Sequence, residues 1–333
     1  MTGSDPAPLR VLFAGTPEIA LFSLDLLLQG DGRDWTVVGV LTNPDAPRGR
    51  GRRVHPSPVK VRAQDAGVPV VQPERLNAEA RAAVAELEPD LLVVVAYGKI
   101  FGPRFLSLFP RGGINVHPSL LPRHRGPSPL QAAILAGDRE TGVTIQCLAQ
   151  EMDAGDIIAQ ERVPLGANTT VSELHDQLGR RGAELLVEVI PDIARGTVRS
   201  TPQDEQNATY CRKMDRSDGE LTWRESAEEI HRKVRALTPW PGVRCRWNGT
   251  PVQLMETALP GAQELGSGAS RAVGDAAVPG SVLAVDSTLG ILVQTTDGVL
   301  AVRRLKQHAR KELDFRSFVN GNPEIIGSVL RQA

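Results

Sequence analysis

Residues 91–96, Leu-Leu-Val-Val-Val-Ala, form the most strand-like segment of this 333-residue chain. The run is continuously apolar, which is typical of a strand covered on both faces. Residues 10–15 form a second apolar run that ends in glycine, and a helical pattern follows from residue 18 to residue 28. The next predicted strands are 37–41 and 69–71, and the predicted helices between strands are 58–66 and 77–87. This alternation predicts an α/β fold with a doubly wound, Rossmann-like, mostly parallel sheet.

In such a sheet, functional side chains lie beyond the carboxyl ends of the strands. We predict a strand over residues 114–116, which delivers Asn115 and His117 to that edge. These two residues are two positions apart, so their side chains project to the same face. A predicted helix over 131–135 and a predicted strand over 143–148 then bring Asp153 back to the same edge. The sequence therefore predicts that three polar side chains converge at one place.

Amide, imidazole and carboxylate groups can together polarise a carbonyl, hold an oxyanion and move a proton without a metal or a covalent intermediate. We therefore expect acyl transfer. In this hypothesis Asn115 and a protonated His117 donate to the oxyanion, while Asp153 orients or charges His117, or accepts the nucleophile's proton. The structural alternative is that His117 caps a turn before Pro118 and that Asp153 belongs to an Asp-Ala-Gly-Asp turn.

A second, smaller domain is predicted in the last third of the chain. A long amphipathic helix over 171–190 closes the first domain, and a helix is predicted over 227–237. Short strand-like runs follow at 243–247, 252–255, 281–285, 290–294 and 299–302. Runs of this length and spacing favour a small OB-like β-barrel. The predicted domains are a catalytic domain over 1–200, a linker over 201–213 and a β-barrel domain over 214–333.

Composition excludes several classes of protein. The 38 basic and 39 acidic residues nearly cancel, so bulk charge does not demand a nucleic-acid partner. The three cysteines, at 147, 211 and 245, have no metal-ligand spacing and favour a reducing cytoplasm. We expect no metal, no export signal and no membrane span. The turn Gly15-Thr16-Pro17-Glu18 lacks the spaced glycines of a dinucleotide fingerprint. The stretch 261–280 is rich in small residues, and we expect it to be a mobile surface loop.

The segment Asn-Val-His-Pro-Ser-Leu-Leu-Pro at residues 115–122 resembles the formyltetrahydrofolate-dependent formyltransferases. The resemblance extends to Arg125-Gly126, Gly142-Val143-Thr144 and the Asp-Ala-Gly-Asp segment that begins at Asp153. It implies that Asn115, His117 and Asp153 are catalytic and that 10-formyltetrahydrofolate is the co-substrate, with no metal. It also implies a folate site formed by Val95, Ala96, Tyr97, Ser119, Leu120, Leu121 and Pro122. Some members carry tryptophan where this chain has His124.

Outside the catalytic segment, the chain resembles those members that formylate the methionine on initiator tRNA. The matching segments are 13–18, 42–45, 48–53 and 239–242. The implied tRNA-contacting residues are Arg48, Arg50, Arg52, Arg53, Lys213, Arg303, Arg304 and Lys306. Four arginines interleaved with glycine also suit phosphate groups on chemical grounds, although a solvated charged loop is the alternative. Trp240 and Trp247 could stack on bases, but we expect them to be buried in the barrel. We expect a monomer.

Two other functions remain open from sequence. A sugar-nucleotide formyltransferase shares the catalytic trio and can have a related C-terminal barrel, but the arginine loop has no obvious use with a sugar. A short purine-pathway enzyme of the same family is expected to end near the predicted linker. A catalytically silent folate- or RNA-binding module would not need an intact Asn115, His117 and Asp153.

Overall fold

The structure is a computed structural model that describes residues 7–30, 32–48, 51, 53–261, 263 and 278–333. The chain divides into two compact units. The first comprises residues 1–129, 139–165 and 173–212, and the second comprises residues 130–138, 166–172 and 213–333. Residues 201–212, which the sequence predicts to be a linker, therefore cluster with the first unit.

The first unit is organised around a seven-stranded sheet of order β5-β2-β1-β6-β7-β8-β9. Through residue 195 the strands are β1 (Leu9–Gly15), β2 (Trp35–Leu41), β3 (Ala46–Arg48), β4 (Arg53–His55), β5 (Val70–Val71), β6 (Leu91–Val95), β7 (Gly113–His117), β8 (Glu140–Cys147) and β9 (Ile157–Pro164). The helices are α1 (Ile19–Leu28), α2 (Pro58–Asp65), α3 (Ala78–Ala85), α4 (Pro103–Leu106), α5 (Pro129–Ala136) and α6 (Val171–Arg195). Strands β3 and β4 form a separate two-stranded sheet.

The strand pairing confirms the predicted mostly parallel sheet. Strands β5, β2, β1, β6 and β7 pair in parallel, whereas β8 pairs antiparallel with both β7 and β9. Every residue of β6 is buried, as the uninterrupted apolar run predicts. Two helices begin where the sequence predicts them because Ser57 and Asn77 cap their first turns through side-chain oxygens. Strand β9 was not predicted, because its exposed polar residues hide its pattern.

The second unit contains an antiparallel sheet of order β12-β13-β14-β11-β10-β16, with β15 pairing with β14. Its strands are β10 (Val243–Trp247), β11 (Thr250–Ala258), β12 (Val282–Asp286), β13 (Gly290–Gln294), β14 (Val299–Gln307), β15 (Glu312–Asp314) and β16 (Arg331–Gln332). Its longer helices are α7 (Ala227–Leu237) and α8 (Phe315–Gly321). A bridge between Ser281 and Val329 joins the two ends of the sheet. The predicted small β-barrel is confirmed.

The two tryptophans predicted to be buried behave differently. Trp247 lies inside the barrel, where its indole N–H donates to the Ser328 hydroxyl at 2.9 Å. Trp240 is 54% exposed, so the prediction of burial is wrong for this residue. It is exposed because it lies in the turn between α7 and β10 instead of on a strand.

Two further predictions concern the small-residue stretch over 261–280 and the absence of a membrane span. Most of the predicted loop over 261–280, namely 262 and 264–277, lies outside the described residues. Within the described part of the chain, no helix is long and apolar enough to cross a membrane.

Candidate active site

Asn115, His117 and Asp153 meet at the carboxyl-end edge of the first unit's sheet. Asn115 Nδ2 donates to Asp153 Oδ1 at 3.3 Å, and His117 Nδ1 lies 3.6 Å from Asp153 Oδ2. Strand β7 presents Asn115 and His117 on one face, and the turn after β8 returns Asp153 to them. The convergence that the sequence predicts is confirmed, since the Asn115 amide and the His117 imidazole both face the Asp153 carboxylate.

The His117 imidazole is buried and faces an oxygen atom on each side. Its Nε2 donates to the carbonyl oxygen of His124 at 3.1 Å, and its Nδ1 faces Asp153. Burial lowers the pKa of His117, while the charge of Asp153 and the carbonyl of His124 oppose that shift without cancelling it. The resting imidazole is therefore neutral near pH 7. Its Nδ1 lone pair points at a carboxylate, which makes this position ready to receive a proton.

A cavity of about 410 Å³ opens beside these groups. Its lining includes the polar residues Asn115, His117 and Asp153, and a second wall is formed by the segment from Ala96 to Phe101. Stacked and tilted aromatic rings support that second wall, with Tyr97 and Phe101 centroids 5.3 Å apart. Cavities of this size hold small organic ligands, and an apolar wall opposite a few polar groups is the usual arrangement of such sites.

Backbone geometry at this edge requires unusual conformations. Asp153 has φ 55° and His124 has φ 58°, in the left-handed region that few residues other than glycine and asparagine adopt readily. Gly126 has φ 112°, and a Cβ at that position would collide with the carbonyl of Cys211. Backbone strain of this kind clusters at functional sites, where surrounding contacts must maintain it.

Two groups that sequence reasoning missed also bind the Asp153 carboxylate. The Gly126 backbone N–H donates to Oδ2 at 2.8 Å, and the Gln146 amide donates to Oδ1 at 3.1 Å. Gln146 lies opposite Asn115 in the β7–β8 pair and is buried. The sequence feature that could have indicated Gln146 is its polarity within the apolar run 143–148. For the Gly126 contact, the sequence offers only the Arg-Gly motif.

Residues 203–211 form a second set of contacts that the sequence did not predict. The Gln203 amide donates to the carbonyl oxygens of Asp153 at 2.8 Å and Gly155 at 2.7 Å. The buried Arg125 guanidinium binds Gln203, Glu205 and Tyr210 on the same segment. Backbone bonds join Arg125 to Thr209 and Cys211. We call residues 203–211 the strap, because they bind the loop that contains both His124 and Gly126.

The predicted folate residues divide into two groups. Ala96 and Tyr97 line the cavity. Val95 is buried in the core below it. The other four, Ser119, Leu120, Leu121 and Pro122, are not among the cavity-lining residues. Thr144 and Gln160 fix this turn through the backbone of Ser119 and Leu121.

None of the predicted tRNA-contacting residues that the structure describes is among the cavity-lining residues. Arg53 is exposed on the β3–β4 hairpin, and Arg48 ends β3. Arg50 and Arg52 lie outside the described residues. Lys213 begins the last stretch of the second unit. Arg304 pairs with Glu312 at 2.6 Å, and Arg303 donates to the Leu289 carbonyl at 3.4 Å. Lys306 lies on β14 in register with Glu312. The barrel cations are thus partly compensated.

Known proteins share both units of this architecture. A family model described as "Formyl transferase" matches residues 9–190, and one described as "Formyl transferase, C-terminal domain" matches residues 213–323. A methionyl-tRNA formyltransferase from Treponema denticola is 40% identical over 326 residues, covering 96% of this chain and 98% of the relative. A second, from Symbiobacterium thermophilum, is 42% identical over 321 residues, covering 96% of this chain and 94% of the relative. The chain belongs to the methionyl-tRNA formyltransferase family.

Solved structures show the same fold at lower identity. The sugar 3N-formyltransferase WlaRD has a TM-score of 0.63 at 17% identity, with 91% of this chain and 99% of that chain covered. HypX from Aquifex aeolicus in complex with tetrahydrofolic acid has a TM-score of 0.58 at 20% identity, with 93% of this chain and 47% of that chain covered. Membership of the methionyl-tRNA formyltransferase family therefore rests on the curated relatives and the family models, and these structures support the fold.

Among the residues that the structure describes, no group of three or more His, Cys, Asp or Glu side chains could hold a metal ion. The Cys147, Cys211 and Cys245 thiols within that part are free, and burial raises the pKa of each. The groups that meet at the Asp153 carboxylate are the Asn115 and Gln146 amides, the His117 imidazole and the Gly126 backbone N–H.

Proposed function

We propose that the protein transfers the formyl group of 10-formyltetrahydrofolate to the α-amino group of methionine esterified to initiator tRNA. The products are N-formylmethionyl-tRNA, which serves initiation of translation, and tetrahydrofolate. The observation on which the proposal rests is the meeting of Asn115, His117 and Asp153 at the wall of one cavity. The choice of methionyl-tRNA as acceptor rests on the relatives named methionyl-tRNA formyltransferase, which match over nearly the whole chain.

The reaction begins with attack of the amine nitrogen on the formyl carbon. The formyl oxygen gains negative charge as the C–N bond forms, so a fixed donor near it lowers the barrier. An amide NH₂ has two hydrogens, and Asn115 uses one of them for Asp153. We assign the other to the oxyanion. Removal of one such donor costs about 10²- to 10³-fold in rate.

The attacking amine must lose a proton, and the folate nitrogen that departs must gain one. The pair formed by Asp153 and His117 suits both steps, because Nδ1 and Oδ2 face each other at 3.6 Å with room for one shared proton. His117 is neutral before attack, since burial lowers its pKa. It becomes cationic when it takes the amine's proton, at the moment when the oxyanion forms. Transfer of that proton to the folate nitrogen then completes the exchange.

An amine next to an ester is less basic than that of a free amino acid. A modest base is therefore sufficient to keep the nucleophile neutral, and a buried carboxylate–imidazole pair meets that requirement. This fit favours an esterified amino acid as acceptor.

The folate is proposed to bind in the cavity with its ring against the segment from Ala96 to Phe101. Apolar and aromatic side chains contribute to this wall, and Ala96, which follows β6, is exposed. The buried hydroxyl of Tyr97 has no hydrogen-bond partner among the residues that the structure describes, so a bound ligand could satisfy it. We propose that Val95 and residues 119–122 support the residues that contact the folate.

The tRNA is proposed to contact cations of both units. Arg53 on the hairpin and Lys213, Arg303, Arg304 and Lys306 in the second unit are the described candidates, together with Arg48, Arg50 and Arg52 of the arginine loop. Phosphate contacts position a nucleic acid without reading its sequence. A cation that is partly compensated by a carboxylate, such as Arg304, is expected to contribute less than an isolated one.

The proposal is tested by incubating the protein with 10-formyltetrahydrofolate and methionyl initiator tRNA and measuring formylmethionine after hydrolysis of the ester. Turnover is expected with the charged tRNA and not with free methionine. The matched arm replaces the tRNA by an amino-sugar nucleotide, because solved sugar formyltransferases share this fold. Faster turnover of the sugar substrate would overturn the assignment of the acceptor.

A further inference from the structure

We propose that Gln203 is a positioning residue for Asp153, and that Arg125 in turn fixes Gln203. This inference rests on the proposed function, because it concerns the same carboxylate. It assigns a catalytic-site role to a segment that the sequence identifies only as a linker.

Gln203 makes two kinds of contact with its single amide group. Its Nε2 donates to the backbone carbonyls of Asp153 at 2.8 Å and Gly155 at 2.7 Å, and lies 3.3 Å from the Gln146 Oε1. Its Oε1 accepts from Arg125 Nη2 at 2.8 Å and from Nε at 3.0 Å. The donor end therefore holds the Asp153 turn, and the acceptor end is held by the guanidinium.

All five N–H groups of the Arg125 guanidinium are engaged in hydrogen bonds. Its side chain is 0% exposed, and an arginine has five N–H hydrogens. Two point at Gln203, two bind the Glu205 carboxylate at 2.7 and 3.0 Å, and one binds the Tyr210 hydroxyl at 2.8 Å. The fork geometry of the guanidinium fixes all these partners together. A lysine could not reproduce them.

Asp153 needs such support because its backbone is in the left-handed region at φ 55°. That conformation costs free energy and persists only where neighbouring contacts maintain it. The Gln203 bond to its carbonyl is one of these contacts. The carboxylate itself must lie within hydrogen-bond reach of Asn115, Gln146 and Gly126, so a small rotation of the turn would disturb all three distances.

The decisive variant is Gln203→Glu. A carboxylate keeps an acceptor for Arg125, but it places a second oxygen against the carbonyls of Asp153 and Gly155, where the amide NH₂ donates in the native protein. Misplacement of a catalytic group by about 1 Å can cost about 10²-fold in rate. We therefore expect kcat to fall about 30- to 100-fold, with KM for the folate changed less than about 3-fold.

The matched control is Gln206→Glu, the same exchange at an exposed position of the strap. It adds the same charge to the segment and leaves the contacts of Gln203 and Arg125 intact. We expect kcat within about 3-fold of the native value. A comparable loss of kcat in both variants would mean that the strap serves only to stabilise the fold, and would overturn the proposal.

A double-mutant cycle separates positioning from general damage. In an Asp153→Asn protein the carboxylate is already lost, so adding Gln203→Glu is expected to reduce the single-turnover rate by less than about 3-fold. An equal, additive reduction in both backgrounds would show that Gln203 does not act through Asp153.

Amide hydrogen exchange supplies a readout that needs no substrate. Exchange in residues 151–156 is expected to be faster in Gln203→Glu than in the native protein or in Gln206→Glu. If Gln203→Glu fails to fold, Gln203→Met provides the same comparison with an apolar side chain of similar length. Unchanged exchange and unchanged kcat in the folded variant would refute the inference. The proposed function is tested separately, by turnover of the native protein on methionyl-tRNA.

Discussion

Each unit of the protein buries one histidine, and their surroundings differ in a way that separates chemistry from structure. His231, on α7, has a neutral partner on each side. Its Nδ1 lies 2.9 Å from the Thr257 hydroxyl and its Nε2 lies 3.3 Å from the Asn168 amide oxygen. His117 has a carbonyl on one side and a carboxylate on the other. A neutral imidazole can hydrogen-bond both partners of His231. At His117 both partners are acceptors, and a neutral imidazole has a proton for only one of them.

Burial lowers the pKa of both imidazoles, and the neighbouring charges then act in opposite directions. Around His231, the Arg235 and Arg303 cations add to the effect of burial, and the pKa falls to about 4. Around His117, the Asp153 carboxylate opposes it. Burial alone therefore does not identify a catalytic histidine. The sign of the adjacent charge and the presence of a cavity distinguish the two.

The largest expected effect follows from removing the imidazole at the cavity. His117→Ala is expected to lower kcat for formyl transfer by about 10²- to 10⁴-fold, because the proton of the attacking amine loses its acceptor. The unfolding temperature should stay within a few degrees of the native value. Steady-state kinetics and a thermal melt check both statements.

The matched substitution is His231→Ala, which should leave kcat per folded molecule unchanged. A loss of turnover in this variant equal to that of His117→Ala would end the distinction between the two histidines.

A smaller effect is expected on stability. His231→Gln keeps one polar contact and should lower the free energy of unfolding by about 1–3 kcal/mol near neutral pH, because one buried partner loses its hydrogen bond. Denaturant titration measures this difference.

The same residue predicts a pH dependence with a definite sign. The folded-state pKa of about 4 lies below the ordinary value of 6.5, so the unfolded chain binds this proton first as the pH falls. Stability from neutral His231 is complete above about pH 6.5 and is lost toward about pH 4. Native protein should lose stability over this window more steeply than His231→Gln. Parallel curves for the two proteins would contradict the burial argument.

The smallest expected effect concerns an exposed ion pair in the barrel. Arg304 is half exposed, and the Glu312 carboxylate raises its pKa. Arg304→Gln is expected to weaken tRNA binding by less than about 3-fold at moderate salt, since one phosphate contact at most is lost. Glu312→Gln should strengthen binding by a similar factor, because it leaves Arg304 uncompensated. Filter binding at several salt concentrations measures both changes.

The fold could be predicted from the sequence because its signals are local. The apolar run of β6, the caps of α2 and α3 and the short strands of the barrel each act within about ten residues. Strand β9 escaped because most of its residues are not buried and its middle, from Gln160 to Arg162, is polar. Trp240 was expected to be buried because tryptophan usually is, but it lies in a turn.

The site was predictable only in part, for the same reason. Asn115 and His117 share a strand face, and Asp153 lies in a recognisable turn, so their meeting follows from the sheet. The Gly126 N–H and the Gln203 amide reach that carboxylate and its turn from distant parts of the chain. Such contacts depend on loop paths that no periodic pattern records. The proton balance between His117 and Asp153 likewise depends on burial, which requires coordinates.

The buried guanidinium of Arg125 also determines where the first unit can end. A chain cut at residue 200, where the sequence pattern places the end of the catalytic domain, would lose Gln203, Glu205 and Tyr210 together. The positive charge would then lie in the interior with its partners removed, a situation that costs several kcal/mol. A fragment that keeps the partners of Arg125 must therefore extend through Tyr210, and the first compact unit itself runs to residue 212.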